Sequence, residues 1–206
     1  LVVATVKLIK ILAVEGQGDL LGTVATEVEQ NHAVAVGDLG NRLAVSGNHE
    51  RRSGKDADDD PTYDILCKLD MENRYRENMA FMKIQMGDQT SNGKINPTYM
   101  LVVTHGAGGG ALTGGVVNRN ERFGYAIDGA DVLIVGHAHK PFVTQPAKIY
   151  IDKYNNQVSV KPFKVVSTTS WLGYGGYAAQ KMLTPSSHVP QTITLCGTKK
   201  EIIVTM

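Results

Sequence analysis

Val132-Leu133-Ile134-Val135 runs directly into Gly136-His137-Ala138-His139-Lys140-Pro141. A short, continuous apolar run closed by glycine reads as a buried strand ending in a turn. In a strand-like or tight-loop geometry, His137 and His139 lie two apart and project to the same side. Two imidazoles on one side at a strand end make a metal clamp. Taken alone, the pair reads equally as two surface histidines in a turn.

Three other segments repeat the pattern. Ala33-Val34-Ala35-Val36 leads into Gly37-Asp38, Leu43-Ala44-Val45-Ser46 into Gly47-Asn48-His49-Glu50, and Met100-Leu101-Val102-Val103-Thr104 into His105-Gly106. In an open α/β sheet, ligands bind outside the carboxyl ends of the strands. Asp38, Asn48, His49, His105, His137 and His139 are therefore expected to converge on one edge. A carboxylate, an amide oxygen and several imidazoles suit divalent transition metals such as Mn, Fe or Zn.

Gly37-Asp38, Gly47-Asn48-His49-Glu50, Thr104-His105-Gly106 and Gly136-His137-Ala138-His139, in that order and each behind a strand, resemble the calcineurin-like metallophosphoesterases. The segments Gly47–Arg52 and His105–Gly110 are closest to phage and bacterial members of unassigned substrate. The resemblance spans residues 33–140 by motif. It implies an α/β fold, a four-layer sandwich of two facing mixed β-sheets flanked by helices, with residues 1–206 as one domain. It also implies two divalent metal ions, manganese favoured, with Asp38 as the bridging carboxylate. Asn48, His105 and His137 would complete one metal, and His139 would join the other. His49 would then be free to protonate the leaving oxygen. The activity implied is hydrolysis of a phosphodiester or phosphomonoester, nucleotide or nucleic acid among the candidate substrates. A catalytically reduced member of the family, serving as a binding scaffold, is the alternative.

The chain departs from the family in two places. The family opens with Asp-x-His after its first strand, and no Asp-x-His occurs in this sequence. The candidate first strand, Val6–Val14, is followed by Glu15-Gly16-Gln17-Gly18-Asp19, where Asp19 reads as a turn or helix-cap residue. In addition, strands ending at Val36 and Ser46, if parallel neighbours, need a crossover of about a dozen residues, and only Gly37 to Arg42 separates the two runs. Either the pair is not parallel or residues are absent near 14–19 and 39–42. If the first motif is truly absent, the second metal keeps only Asp38 and His139.

With 206 residues, 42% hydrophobic and 20% charged, the chain supports one sizeable core. A formal net charge of +1 gives no broad field for long polyanions. Cys67 and Cys196, far apart and outside any Cys-x-x-Cys, read as reduced, packed thiols of a cytoplasmic protein. No apolar run approaches a membrane span.

Helical spacing marks Thr62–Met79, opened by Asp60-Pro61, and a second helix covers Asn118–Ala126. After Pro141 short strands are expected at Lys148–Asp152, Val158–Ser167, Gln191–Cys196 and Glu201–Thr205, with hairpin turns at Asn155-Asn156 and Gly197-Thr198. The glycine-rich stretch Gly106–Gly115 lacks the Gly-Lys-Ser/Thr ending of a nucleotide loop. Its glycines read as backbone passing close to a crowded site. Trp171–Tyr177 reads as packing at a strand end or as a pocket rim.

Overall fold

The computed structural model describes residues 3–10, 24–31, 44–45, 47, 60–85, 97–107, 112–169, 174–180, 182–197 and 199–206. The expectations placed on Asp38, Asn48 and His49, on the Ala33–Val36 run, and on absent residues near 14–19 and 39–42 lie outside them.

The elements are, in chain order, β1 (Val3–Lys10), β2 (Val24–Asn31), β3 (Ala44–Val45), α1 (Pro61–Lys68), β4 (Tyr75–Arg76), β5 (Met79–Gln85), β6 (Thr98–Thr104), α2 (Thr113–Ala126), β7 (Val132–Val135), β8 (Phe142–Thr144), β9 (Ala147–Asp152), β10 (Gln157–Pro162), β11 (Lys164–Ser167), α3 (Gly176–Gln180), β12 (Thr192–Cys196) and β13 (Ile202–Thr205). The described chain is mixed α/β, with several sheets, few helices and no barrel.

The most apolar runs form the centre of a five-stranded mixed sheet of order β5-β6-β7-β11-β8. β6, β7 and β11 are parallel, whereas β5 and β8 flank them antiparallel. All four residues of β7 are buried, as expected where both sheet faces are covered. One face carries Leu101, Val103, Val132, Ile134 and Val166. It shares its core with Ile193 and Leu195 of β12, a strand of the second sheet, ordered β13-β12-β1-β2. The other face carries Val102, Leu133, Val135 and Val165, in one cluster with Val116 of α2 and Phe163.

Asp131 aligns the three parallel strands. Its carboxylate accepts the Met100 N–H at 2.8 Å and pairs with Lys200 at 2.7 Å. Its backbone N–H donates to Met100 O, and its carbonyl accepts from Lys164 N–H.

Several elements differ from expectation. The first strand begins earlier, at Val3, and pairs antiparallel with both β2 and β12. The helix expected over Thr62–Met79 stops at Lys68, because Asp70 takes φ +54°. Met71 N–H then closes onto Leu66 O and Asp70 N–H onto Cys67 O, which is a Schellman termination. The chain leaves that helix and becomes β4 and β5. The strand expected over Val158–Ser167 is two strands. β10 pairs with β9 as a separate ribbon, and β11 enters the main sheet after Phe163. Cys67 is exposed and Cys196 half-buried, and neither is in a disulfide, so the packed-thiol expectation fails at Cys67. Among the described residues no helix is long and apolar enough to cross a membrane.

Candidate functional site

The parallel pairing of β6 with β7, Thr104 opposite Val135, sends both chains out of the sheet at the same edge. His105 and His137 leave together there, as the sequence predicts. His105 is 6% exposed. Its Nε2 lies 2.9 Å from Nδ1 of His137, with the rings edge-on at 71° and centroids 4.8 Å apart. Metal–imidazole bonds of about 2.0–2.1 Å put two nitrogens of one tetrahedral ion about 3.3 Å apart. A separation of 2.9 Å thus suits a shared hydrogen bond and needs only a few tenths of an ångström of adjustment to bracket an ion.

His137 and His139 do not continue the strand. Both have left-handed backbone, φ +61° and +54°, and Ala138 N–H bonds back to Gly136 O at 2.7 Å. The strand-like version of the His-x-His expectation is corrected to a tight turn. His137 meets His105, and both His137 and His139 are half-buried. Among the described residues no group of three or more His, Cys, Asp or Glu is gathered in metal-binding range. The remaining predicted ligands, Asp38 and Asn48, and the acid candidate His49 lie outside those residues.

Gly106 makes the approach of the two strand ends possible. Its φ is +82°, and a Cβ there would sit 2.6 Å from Cγ1 of Val135. The expectation that glycine lets the backbone pass close to the site holds at this position. Thr104 steadies the turn: its hydroxyl donates to Asn78 O at 3.1 Å and accepts the Gly106 N–H at 3.3 Å.

Beside His105 opens a cavity of about 360 Å³. Thr104, His105, Arg119 and Asn120 are among its polar walls, and Met79, Phe123 and Val135 are apolar ones. Tyr174, from the aromatic segment considered as a rim, is exposed and does not line it. Asn120 is 3% exposed, and its Nδ2 has no hydrogen-bond partner among the described residues. The sequence reading missed Arg119, Asn120 and Phe123 as site residues. The signal was available: Val116, Asn120 and Gly124 recur at i, i+4 and i+8, which puts a polar residue on the buried face of a helix.

At the neighbouring strand end, Gln191 ties β11 to the start of β12. Its Nε2 donates to Ser167 O at 2.9 Å and its Oε1 accepts the Thr169 N–H at 3.2 Å. This buried clamp fixes the edge on which the histidines sit.

No family model matches the chain, and no curated protein and no solved structure shows significant similarity to it.

Proposed function

We propose that this chain is a metal-dependent phosphoesterase, acting on a phosphodiester or phosphomonoester. The observation that carries the reading is the meeting of His105 and His137 at the carboxyl edge of two parallel strands, their ring nitrogens 2.9 Å apart. That edge is where open α/β sheets bind ligands, and the order of motifs resembles the calcineurin-like metallophosphoesterases. The finer architecture belongs to the same proposal: one domain built as a four-layer sandwich, working in the cytoplasm.

Asp38, Asn48, His105 and His137 would hold one divalent ion, with Asp38 and His139 at a second, manganese being favoured. When bound, such ions supply Lewis acidity toward a phosphoryl oxygen and make water nucleophilic at neutral pH. Asp38, as a carboxylate, can serve both ions. His105 and His137 would offer ring nitrogens as ligands, and the buried position of His105 keeps its ring in place. His49 adjoins a ligand without being one, which suits donation of a proton to the leaving oxygen.

A catalytically reduced scaffold is the second reading, favoured by the missing Asp-x-His. Metal analysis and hydrolysis of phosphodiesters decide between the two. The enzyme reading expects one or two manganese ions per chain, lost together with activity in His105→Ala. His49→Ala should keep its metal and lose roughly 10²–10⁴-fold in kcat on alkyl diesters, with a smaller loss on nitrophenyl diesters. Bound metal without turnover on any ester would leave the scaffold, and a protein that binds no metal would end the enzyme reading.

A further inference from the structure

Helix α2 buries a polar side chain where its neighbours on the same stripe are apolar. Val116 packs in the core, and Gly124 leaves the room that the Phe163 ring fills, since a Cβ there would lie 2.5 Å from Cε2. Between them sits Asn120, 3% exposed, with an Nδ2 that has no partner among the described residues. A buried donor without an acceptor is costly, and native structures keep few of them. Asn120 also lines the cavity beside His105, and a ligand in that cavity would supply the missing acceptor.

The rest of the cavity indicates what kind of ligand this is. Arg119 is a cationic residue among the described lining residues. Phe123, three positions beyond Asn120 and four beyond Arg119, lies on the same side of the helix and adds an aromatic wall. The volume of about 360 Å³ falls in the range of small-molecule sites and exceeds what a bare phosphate fills.

We propose that this cavity binds the organic substituent of an anionic ester. Asn120 Nδ2 donates to an oxygen of the ligand, and Phe123 packs against an apolar or aromatic portion. The identity of the ester rests on the phosphoesterase reading, whereas the orphaned amide and the cavity do not depend on it.

Calorimetry on the full chain, with phenylphosphonate and inorganic phosphate as probes, tests the assignment. Phenylphosphonate carries a phosphorus–carbon bond and survives any hydrolysis. Wild type should bind it at least about tenfold more tightly than phosphate. Asn120→Asp replaces the donor by an acceptor and adds negative charge. It should weaken phenylphosphonate by about 10- to 100-fold, the range for a hydrogen bond to a charged group. Asn120→Leu should weaken it comparably while melting no lower than wild type, because the unpaired donor is gone. Phe123→Ala, at a position 38% exposed and hence tolerant, should lose the preference for phenylphosphonate and keep phosphate affinity. Equal wild-type affinity for the two probes, or wild-type binding by Asn120→Asp, overturns the proposal. Hydrolysis of diesters separates the two readings. An active enzyme whose binding ignores Asn120 and Phe123 overturns the pocket alone. A protein inactive on every ester with manganese present, yet dependent on Asn120 for phenylphosphonate, overturns the phosphoesterase reading alone.

Discussion

Replacing Gly106 by alanine tests whether the site edge is built by close approach of two strand ends. Two costs arise from separate causes. The backbone at φ +82° charges an L side chain roughly 1–2 kcal/mol. The new Cβ also lands 2.6 Å from Val135 Cγ1. Val135 is 2% exposed and, being β-branched, has little rotamer freedom with which to yield. Overpacking of this kind costs about 1–3 kcal/mol, so Gly106→Ala should lose about 2–5 kcal/mol in all. Val135→Ala alone should lose about 1.5–3 kcal/mol of burial. In the double variant the clash is gone and only the backbone strain remains beside the lost methyls. The double should therefore be about 1–3 kcal/mol more stable than the sum of the singles predicts. Urea unfolding of the four proteins, at a common slope, measures this coupling. Additivity to within about 0.5 kcal/mol would refute the steric account, leaving Gly106 a matter of backbone conformation alone.

Two further outcomes concern the frame that carries the site. The Tyr99 hydroxyl is surrounded by the carbonyls of Cys196, Lys199 and Glu201 at 2.5–3.2 Å and accepts the Glu201 N–H, with burial foremost in raising its pKa above 10.0. Folding thus favours the neutral phenol: its contribution is complete below pH 10, falls as pH rises through the folded-state value, and the alkaline loss should be absent in Tyr99→Phe, itself about 1–3 kcal/mol less stable at pH 7. Asp60 caps α1 by accepting from Thr62 N–H at 2.9 Å and also accepts the Tyr75 hydroxyl at 2.5 Å, so Asp60→Ala should cost about 0.5–2 kcal/mol in thermal unfolding and Asp60→Asn clearly less; equal losses would deny the cap.

What the sequence discloses depends on whether an element declares itself locally. Val132–Val135 is uniformly apolar and bounded by glycine, and it is β7 without a residue's change. The hairpin turn at Asn155-Asn156 also stands where the turn chemistry puts it, Asn156 at φ +50°; β12 and β13 pair as a hairpin, while Thr198 of the turn expected between them lies outside the described residues. β5 is harder to see, because Phe81 and Lys83 on its exposed side interrupt Ala80, Met82 and Ile84 with another large apolar residue. Its alternation is then masked, and the sequence pattern marks no element beyond Met79 in this stretch. The first turn of α2 contains Gly114 and Gly115, poor helix formers, so the helix was expected to begin at Asn118 and the buried stripe through Asn120 was cut short. At the site, the convergence of His105 and His137 is legible because parallel neighbours end at one edge. The cavity wall from α2 is not, since it depends on how a helix crosses a sheet.

The turn at His137 and His139 invites one more test, because both residues hold a backbone conformation that side chains resist. Such strain persists where surrounding structure over-determines it, and it gathers at sites that act. His139→Ala and His139→Gly both remove the imidazole and differ only in the backbone. At an ordinary position glycine is about 0.5–1 kcal/mol less stable than alanine, through its greater freedom when unfolded. At φ +54° alanine meets a penalty of roughly 1–2 kcal/mol that glycine escapes. The order should therefore invert, with His139→Gly more stable than His139→Ala by up to about 1.5 kcal/mol. Lys140, the next residue, has no left-handed φ, and both of its variants lose the same bond to Thr184. There alanine should remain the more stable. Chemical denaturation of the four variants reads both comparisons directly. If glycine were the weaker partner at both positions, the turn would carry no strain, and the left-handed pair could not be counted among the marks of a functional site.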